Sequence, residues 1–147
     1  MMKDKDFKIL LREAKSKVDR TMLLVAASLE DLGEYETDRT YSPKELEPYD
    51  ALTDRFIRGV EMFAKFFKTY DAYHSIDGAP TYRDLINMME KLKLVTNASI
   101  WMKMRDVRNR IVHDYLPEQT RDMYDSIMGE FYTELRFSSN AINGTFE

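Results

Sequence analysis

Three arginines, a histidine and a tyrosine fall within eleven residues, Arg105-Asp106-Val107-Arg108-Asn109-Arg110-Ile111-Val112-His113-Asp114-Tyr115. These side chains suit the cleavage of RNA. An imidazole that titrates near neutrality can take the proton from a ribose 2′-hydroxyl or return one to the leaving oxygen. A guanidinium fork can neutralise the charge that builds on phosphorus. The 2′-hydroxyl is the internal nucleophile, so this chemistry calls for no metal and no other cofactor. Between Lys91 and Arg110 six cations stand against one carboxylate, Asp106, a local +5 in a chain of net charge −4. That local excess is what a phosphate backbone would need, with Lys103, Arg105 and Arg110 as the holding residues. A plainer reading stands beside it. Arginines and a histidine on an exposed helix are most often a solvated face, and Asp106 and Asp114 can pair with their arginine neighbours. The dipeptide His113-Asp114 also occurs in metal phosphohydrolases, but the further histidines of such a site are missing.

The stretch ends an amphipathic helix that starts at Asn97 or Ser99. With about 100° per residue, Ile100, Met104, Val107 and Ile111 form the expected core stripe. Trp101, Arg108 and Val112 fall beside that stripe, while Asp106, Asn109 and His113 fall away from it. Trp101 and Val112 therefore predict a second apolar contact, most simply a two-fold homodimer interface. On an unbroken helix Arg108 and His113 diverge by about 140° and rise by about 7.5 Å, too far to grip one small group together. A helix that ends near His113 would bring them together, and so would a second copy of the chain. The dimer is favoured because it also uses the surplus apolar surface.

The remaining chain reads as scaffold for that helix. At 147 residues, with 44% apolar and 33% charged, one globular helical domain is expected over residues 1–137. There is no cysteine, which excludes disulfides, thiolate chemistry and cysteine zinc sites. The two histidines, His74 and His113, cannot build a multi-histidine metal centre within one subunit. Steps of three and four predict a long first helix from Phe7 to Leu32, stopped at Gly33. A polar connection from Glu34 to Tyr49 follows, in which Ser42-Pro43-Lys44-Glu45 can cap one short turn. A second helix is expected from about Tyr49 to Tyr70, its phenylalanines spaced for core packing. Thr81 caps a short third helix to about Leu92, and Pro117 opens a fifth to about Phe137. Residues 138–147, small and polar, read as a frayed tail. Nothing alternates like a strand. The expected fold is all-α, an antiparallel up-and-down bundle of four to five helices. No apolar run approaches the roughly 20 residues of a membrane span, and the expected location is cytoplasmic.

The string Arg108-Asn109-Arg110-Ile111-Val112-His113-Asp114-Tyr115 fits the R-x4-H-x-Y motif of the HEPN superfamily. It most resembles the HepT-type toxins and the related nucleotidyltransferase substrate-binding proteins. Tyr49-Asp50-Ala51-Leu52-Thr53-Asp54-Arg55-Phe56 resembles the second-helix signature of these families, and Trp101 with Met104 resembles the lead-in to the motif. The likeness runs from about Asp50 to Phe137. It implies a bundle that dimerises so that two motifs line one cleft, and metal-independent endoribonuclease activity. It also implies Arg108 and His113 as the catalytic pair, with Asn109 orienting the site. The partner it implies is a minimal nucleotidyltransferase antitoxin, which in the HepT type transfers AMP to the motif tyrosine, here Tyr115. An anionic nucleotide beside His113 would occupy the cleft and repel RNA. The alternative is a non-catalytic helical partner or substrate-binding subunit of such an enzyme, and a plain dimeric scaffold is a third. The long connection from Glu34 to Tyr49 departs from the family pattern.

Overall fold

The computed structural model describes residues 3–75, 77–111 and 116–147. Among the described residues six α-helices follow one another: α1 Asp4–Glu30, α2 Pro43–His74, α3 Tyr82–Lys91, α4 Ala98–Ile111, α5 Pro117–Ser126 and α6 Tyr132–Gly144. A π-helical turn, Ile127–Phe131, joins α5 to α6 into one rod. No strand occurs among the described residues, and the all-helical bundle is as expected.

The frame is the antiparallel pair α1 and α2, which share the most extensive interface in the molecule. Leu11, Ala14, Val18, Thr21 and Val25 recur at steps of three and four along α1 and are all buried. They meet Leu52, Phe56, Val60, Phe63 and Phe67 of α2, of which four are wholly inaccessible and Val60 nearly so. Gly59 lets the two backbones come close, since a Cβ there would stand 2.3 Å from Thr21 Cγ2. Arg55 ties the same pair by donating to the Leu24 carbonyl at 3.1 Å and to Ser28 Oγ at 2.8 Å.

Two boundaries differ from the sequence expectation. Helix α2 starts at Pro43, six residues before Tyr49, so the Ser42 cap opens the whole helix rather than one isolated turn. Its capping box is complete: Ser42 Oγ accepts the Glu45 N–H at 3.2 Å, and Glu45 Oε1 accepts the Ser42 N–H at 3.1 Å. Pro48 removes one helical donor near this end without breaking the helix, because Tyr49 and Leu52 just beyond it are anchored in the core. The rest of the connection is held by tyrosines. Tyr35 stacks on Tyr41 at 4.8 Å, and Tyr49 and Tyr124 close the cluster at 4.9 Å. The Tyr49 hydroxyl donates to the Gly33 carbonyl at 3.0 Å. Burial, reinforced by the neighbouring Tyr41 hydroxyl, pushes the Tyr49 phenol up to about 12, so it remains a donor at any physiological pH.

The second boundary is the C-terminus. Residues 138–147 are not a frayed tail, since α6 continues to Gly144 with Ser138 and Ile142 wholly buried. Leu135, Ser138 and Ile142 are spaced by three and four, so the small polar residues between them simply face outward. Phe146 follows, its ring 6.2 Å from that of Phe66.

Candidate functional site

Helix α4 is positioned from its N-terminal end by two carboxylates. Glu90 Oε2 accepts the Ala98 N–H at 2.7 Å, and Glu134 Oε2 accepts the Thr96 N–H at 2.9 Å. The Ala98 N–H is a helix-start donor with no partner inside the helix, Thr96 lies just before the helix, and a carboxylate there also favours the helix dipole. Glu134 reaches further. It accepts the Trp101 indole N–H at 2.8 Å and, on its other oxygen, the Thr96 hydroxyl. The turn before α4 is equally determined. Lys93 adopts φ 64°, and the Leu94 N–H bonds the Met89 carbonyl while the Lys93 N–H bonds that of Glu90. That double bond pattern closes α3 with a left-handed residue, and it seats Leu94 in the core.

The face of α4 that enters the core is Ala98, Trp101, Met104 and Val107. This corrects the expected stripe by a rotation. Ile100 is only half-buried and Ile111 is 47% exposed, whereas Trp101 is wholly inaccessible. The indole packs edge-on against Phe63 at 5.5 Å and Phe67 at 5.2 Å. Trp101 therefore belongs to its own protomer's core and has no surface to offer a second subunit. The reason is Glu134, a buried acceptor on a helix distant in sequence that gives the indole N–H a partner inside.

Past the core stripe, the motif's polar residues divide between two depressions that share Asp106. The larger, about 670 Å³, lies between the N-terminal half of α2, the end of α4 and α5; Asp50, Asp54, Asp106, Arg110, Asp122 and Tyr124 are among its walls. The smaller, about 350 Å³, is bounded by Glu61, Arg105, Asp106, Arg108 and Asn109. Asp106 bridges them, accepting from Asn109 Nδ2 at 3.1 Å and lying 3.8 Å from Arg110 Nε. Arg108 extends toward Glu61 at a loose 3.8 Å, with its side chain 64% exposed. Arg105 lies flat over the Tyr82 ring at 4.1 Å. Burial pushes the Tyr82 phenol up to about 12, the Arg105 charge opposing this and Glu61 adding to it. Lys103 is exposed on the same helix.

The local +5 counted along the chain is not a +5 in space. Glu61 comes to Arg108 from α2, and four aspartates line the larger cleft together with Arg110, Asp106 at 3.8 Å from it. Those carboxylates were visible as residues, but their approach to α4 was not. Of the expected site residues, Arg108 and Asn109 share the smaller depression and Arg110 lines the larger. His113, Tyr115 and Val112 lie outside the described residues, so the Arg108–His113 pairing and the Val112 contact are not addressed by the geometry. Among the described residues no group of three His, Asp or Glu side chains is disposed to hold a metal.

The signature around Tyr49–Phe56 has two duties. Tyr49, Leu52, Thr53 and Phe56 are buried and structural, whereas Asp50, Thr53 and Asp54 border the larger cleft. A helical bundle with a polar cleft at the α2–α4–α5 junction defines the class. The chain belongs to the family described as nucleotidyltransferase substrate binding protein like, whose model matches residues 22–143. Neither a curated protein nor a solved structure matches the chain. Among the described residues no helix is long and apolar enough to cross a membrane.

Proposed function

We propose that this chain is the helical partner of a minimal nucleotidyltransferase, binding or presenting what that enzyme modifies at the cleft between α2, α4 and α5. The observation that carries the reading is family membership across residues 22–143, a span that includes every wall of that cleft. The cleft's charge supports it. With four aspartates and one arginine among the described residues that line it, the cleft of a lone protomer suits a cationic protein surface better than a phosphate backbone. Size-exclusion chromatography of the chain with a minimal nucleotidyltransferase from the same source should give a co-eluting complex, which Asp54→Arg with Asp122→Arg disrupts. Separate elution of the wild-type proteins at micromolar concentration overturns the proposal.

A second reading is supported by Arg108. Its side chain is 64% exposed and, among the described residues, its ion pair is the long one to Glu61, an arrangement that suits reaching a phosphate presented by another subunit. On this reading the chain is a metal-independent ribonuclease toxin that acts as a homodimer. Arg108, Asn109 and His113 form the site, and Tyr115 accepts AMP from the nucleotidyltransferase antitoxin. Wild-type protein should then cut total RNA without added metal. Arg108→Ala should lower the rate by about 10²-fold or more, as expected when a donor to a developing negative charge is lost. RNA left intact by the wild type, or cut equally by Arg108→Ala, removes this reading and leaves the first standing.

A further inference from the structure

A third depression, about 330 Å³, lies at the other end of the α1–α2 pair. Its walls are Lys8 and Arg12 of α1, Tyr70, Tyr73 and His74 of α2, and Phe146 beyond α6. Ile57, on the larger cleft, and Tyr70 are thirteen residues apart on one helix, so about 20 Å separates the two places. Neither the family motif nor the site described above involves these residues.

Its chemistry is two-sided. Lys8 and Arg12 are four residues apart on α1 and so present their charges from one face. Lys8 is partly neutralised by Asp4 at 3.2 Å. Arg12 has no carboxylate within 4 Å among the described residues, and Arg12 is exposed. Opposite the cations stands an aromatic wall. Tyr70 and His74 are 4.3 Å apart and Tyr73 and His74 4.8 Å apart, measured between ring centroids. Phe146 remains 38% exposed although its backbone is fastened to the end of α6. The wall itself is braced, because the Tyr73 hydroxyl bonds Asp4 and the Tyr73 ring packs edge-on against Phe7 at 5.6 Å. Among the described residues no carboxylate lines this depression, and Asp4 touches Lys8 and Tyr73 from outside that lining.

We infer that this depression is a binding site for a nucleoside monophosphate, with the base against the Tyr70, His74 and Phe146 rings and the phosphate on Arg12 and Lys8. A flat π-face stacks on such rings without regard to base identity, and adjacent ammonium and guanidinium groups suit a phosphate dianion. The volume lies at the lower end for small-molecule pockets, the range of one mononucleotide rather than an oligonucleotide. The site is independent of the nucleotidyltransferase and ribonuclease readings, since it uses none of their residues.

Isothermal titration of the full-length chain with AMP and with UMP tests the inference, alongside adenosine and inorganic phosphate. Both nucleotides should bind, AMP the more tightly because purine offers more stacking area, and each fragment should bind at least tenfold more weakly than AMP. Arg12→Glu and Phe146→Ala, each checked for folding by circular dichroism, should weaken AMP at least tenfold. Arg110→Ala in the other cleft should leave AMP unchanged. If Arg12→Glu fails to fold, Arg12→Gln takes its place. Absence of AMP binding, unchanged affinity in both Arg12 and Phe146 variants, or loss in Arg110→Ala overturns the assignment.

Discussion

Trp101→Ala is expected to cost about 3–5 kcal/mol of folding stability, the usual range for deleting a buried tryptophan or phenylalanine. A domain of this size has only about 5–15 kcal/mol in total, and at about 2–4 °C per kcal/mol the melting temperature should fall by roughly 10 °C or more. The magnitude follows from position. The indole is wholly inaccessible, wedged between Phe63 and Phe67 of α2, and fastened by its N–H to Glu134. Removing it opens a cavity where α4 meets α2 and leaves a buried carboxylate short of one donor. Thermal unfolding followed by circular dichroism measures the loss. A variant that keeps its melting temperature but changes oligomeric state would return the indole to a subunit contact.

Glu134→Ala should be nearly as damaging, for the complementary reason. The carboxylate collects the Trp101 indole N–H, the Thr96 N–H and the Thr96 hydroxyl, and Glu134 is only 3% exposed. The buried indole N–H left unpaired costs about 1–3 kcal/mol and the two donors of the exposed Thr96, which water can satisfy, cost less, so a total of about 2–5 kcal/mol is expected. Glu134→Gln keeps the shape and an acceptor, and should lose roughly half as much. Since Trp101 and Glu134 share one bond, the double variant should be less destabilised than the two single losses added, by about 1 kcal/mol or more. Urea titrations of the four proteins give that coupling directly. Strict additivity would mean that the indole and the carboxylate do not depend on one another. The pair also matters for the site. By fixing the start of α4 it sets the direction in which Arg108 and Asn109 leave the bundle, about three turns later.

The cleft acidity ties the charge pattern to the competing functional readings. Asp50 and Asp54 are four residues apart on the exposed side of α2, a spacing that already placed them on one face. Asp122 is on α5 and Asp106 on α4, and folding brings all four to the cleft that Arg110 also lines. A nucleic acid entering there meets carboxylates first. A partner protein with a basic face does not face that barrier, which is why the nucleotidyltransferase association is the leading proposal and RNA cleavage the second.

What the amino-acid order determined alone was whatever depends on near neighbours. Apolar steps of three and four placed the helices, Thr81 and Pro117 marked where two of them begin, and the Tyr49–Phe56 signature and the motif string pointed to the family. Local chemistry also held the clues that were read too cautiously: Ser42 with Glu45 started a 32-residue helix, and Ser138 with Ile142 continued the last one. Tertiary structure decided everything that depends on residues remote in sequence. A helical wheel cannot know that Glu134 waits for the Trp101 indole, so it assigned that ring to a second subunit instead of the core. Nor can a count of charges along α4 include Glu61, which meets Arg108 at the smaller depression, or Asp50, Asp54 and Asp122, which arrive from other helices and make the larger cleft acidic. Periodicity is a one-dimensional property of the chain. Burial of a polar atom and the sign of a surface are sums over space, and only the folded bundle supplies their terms.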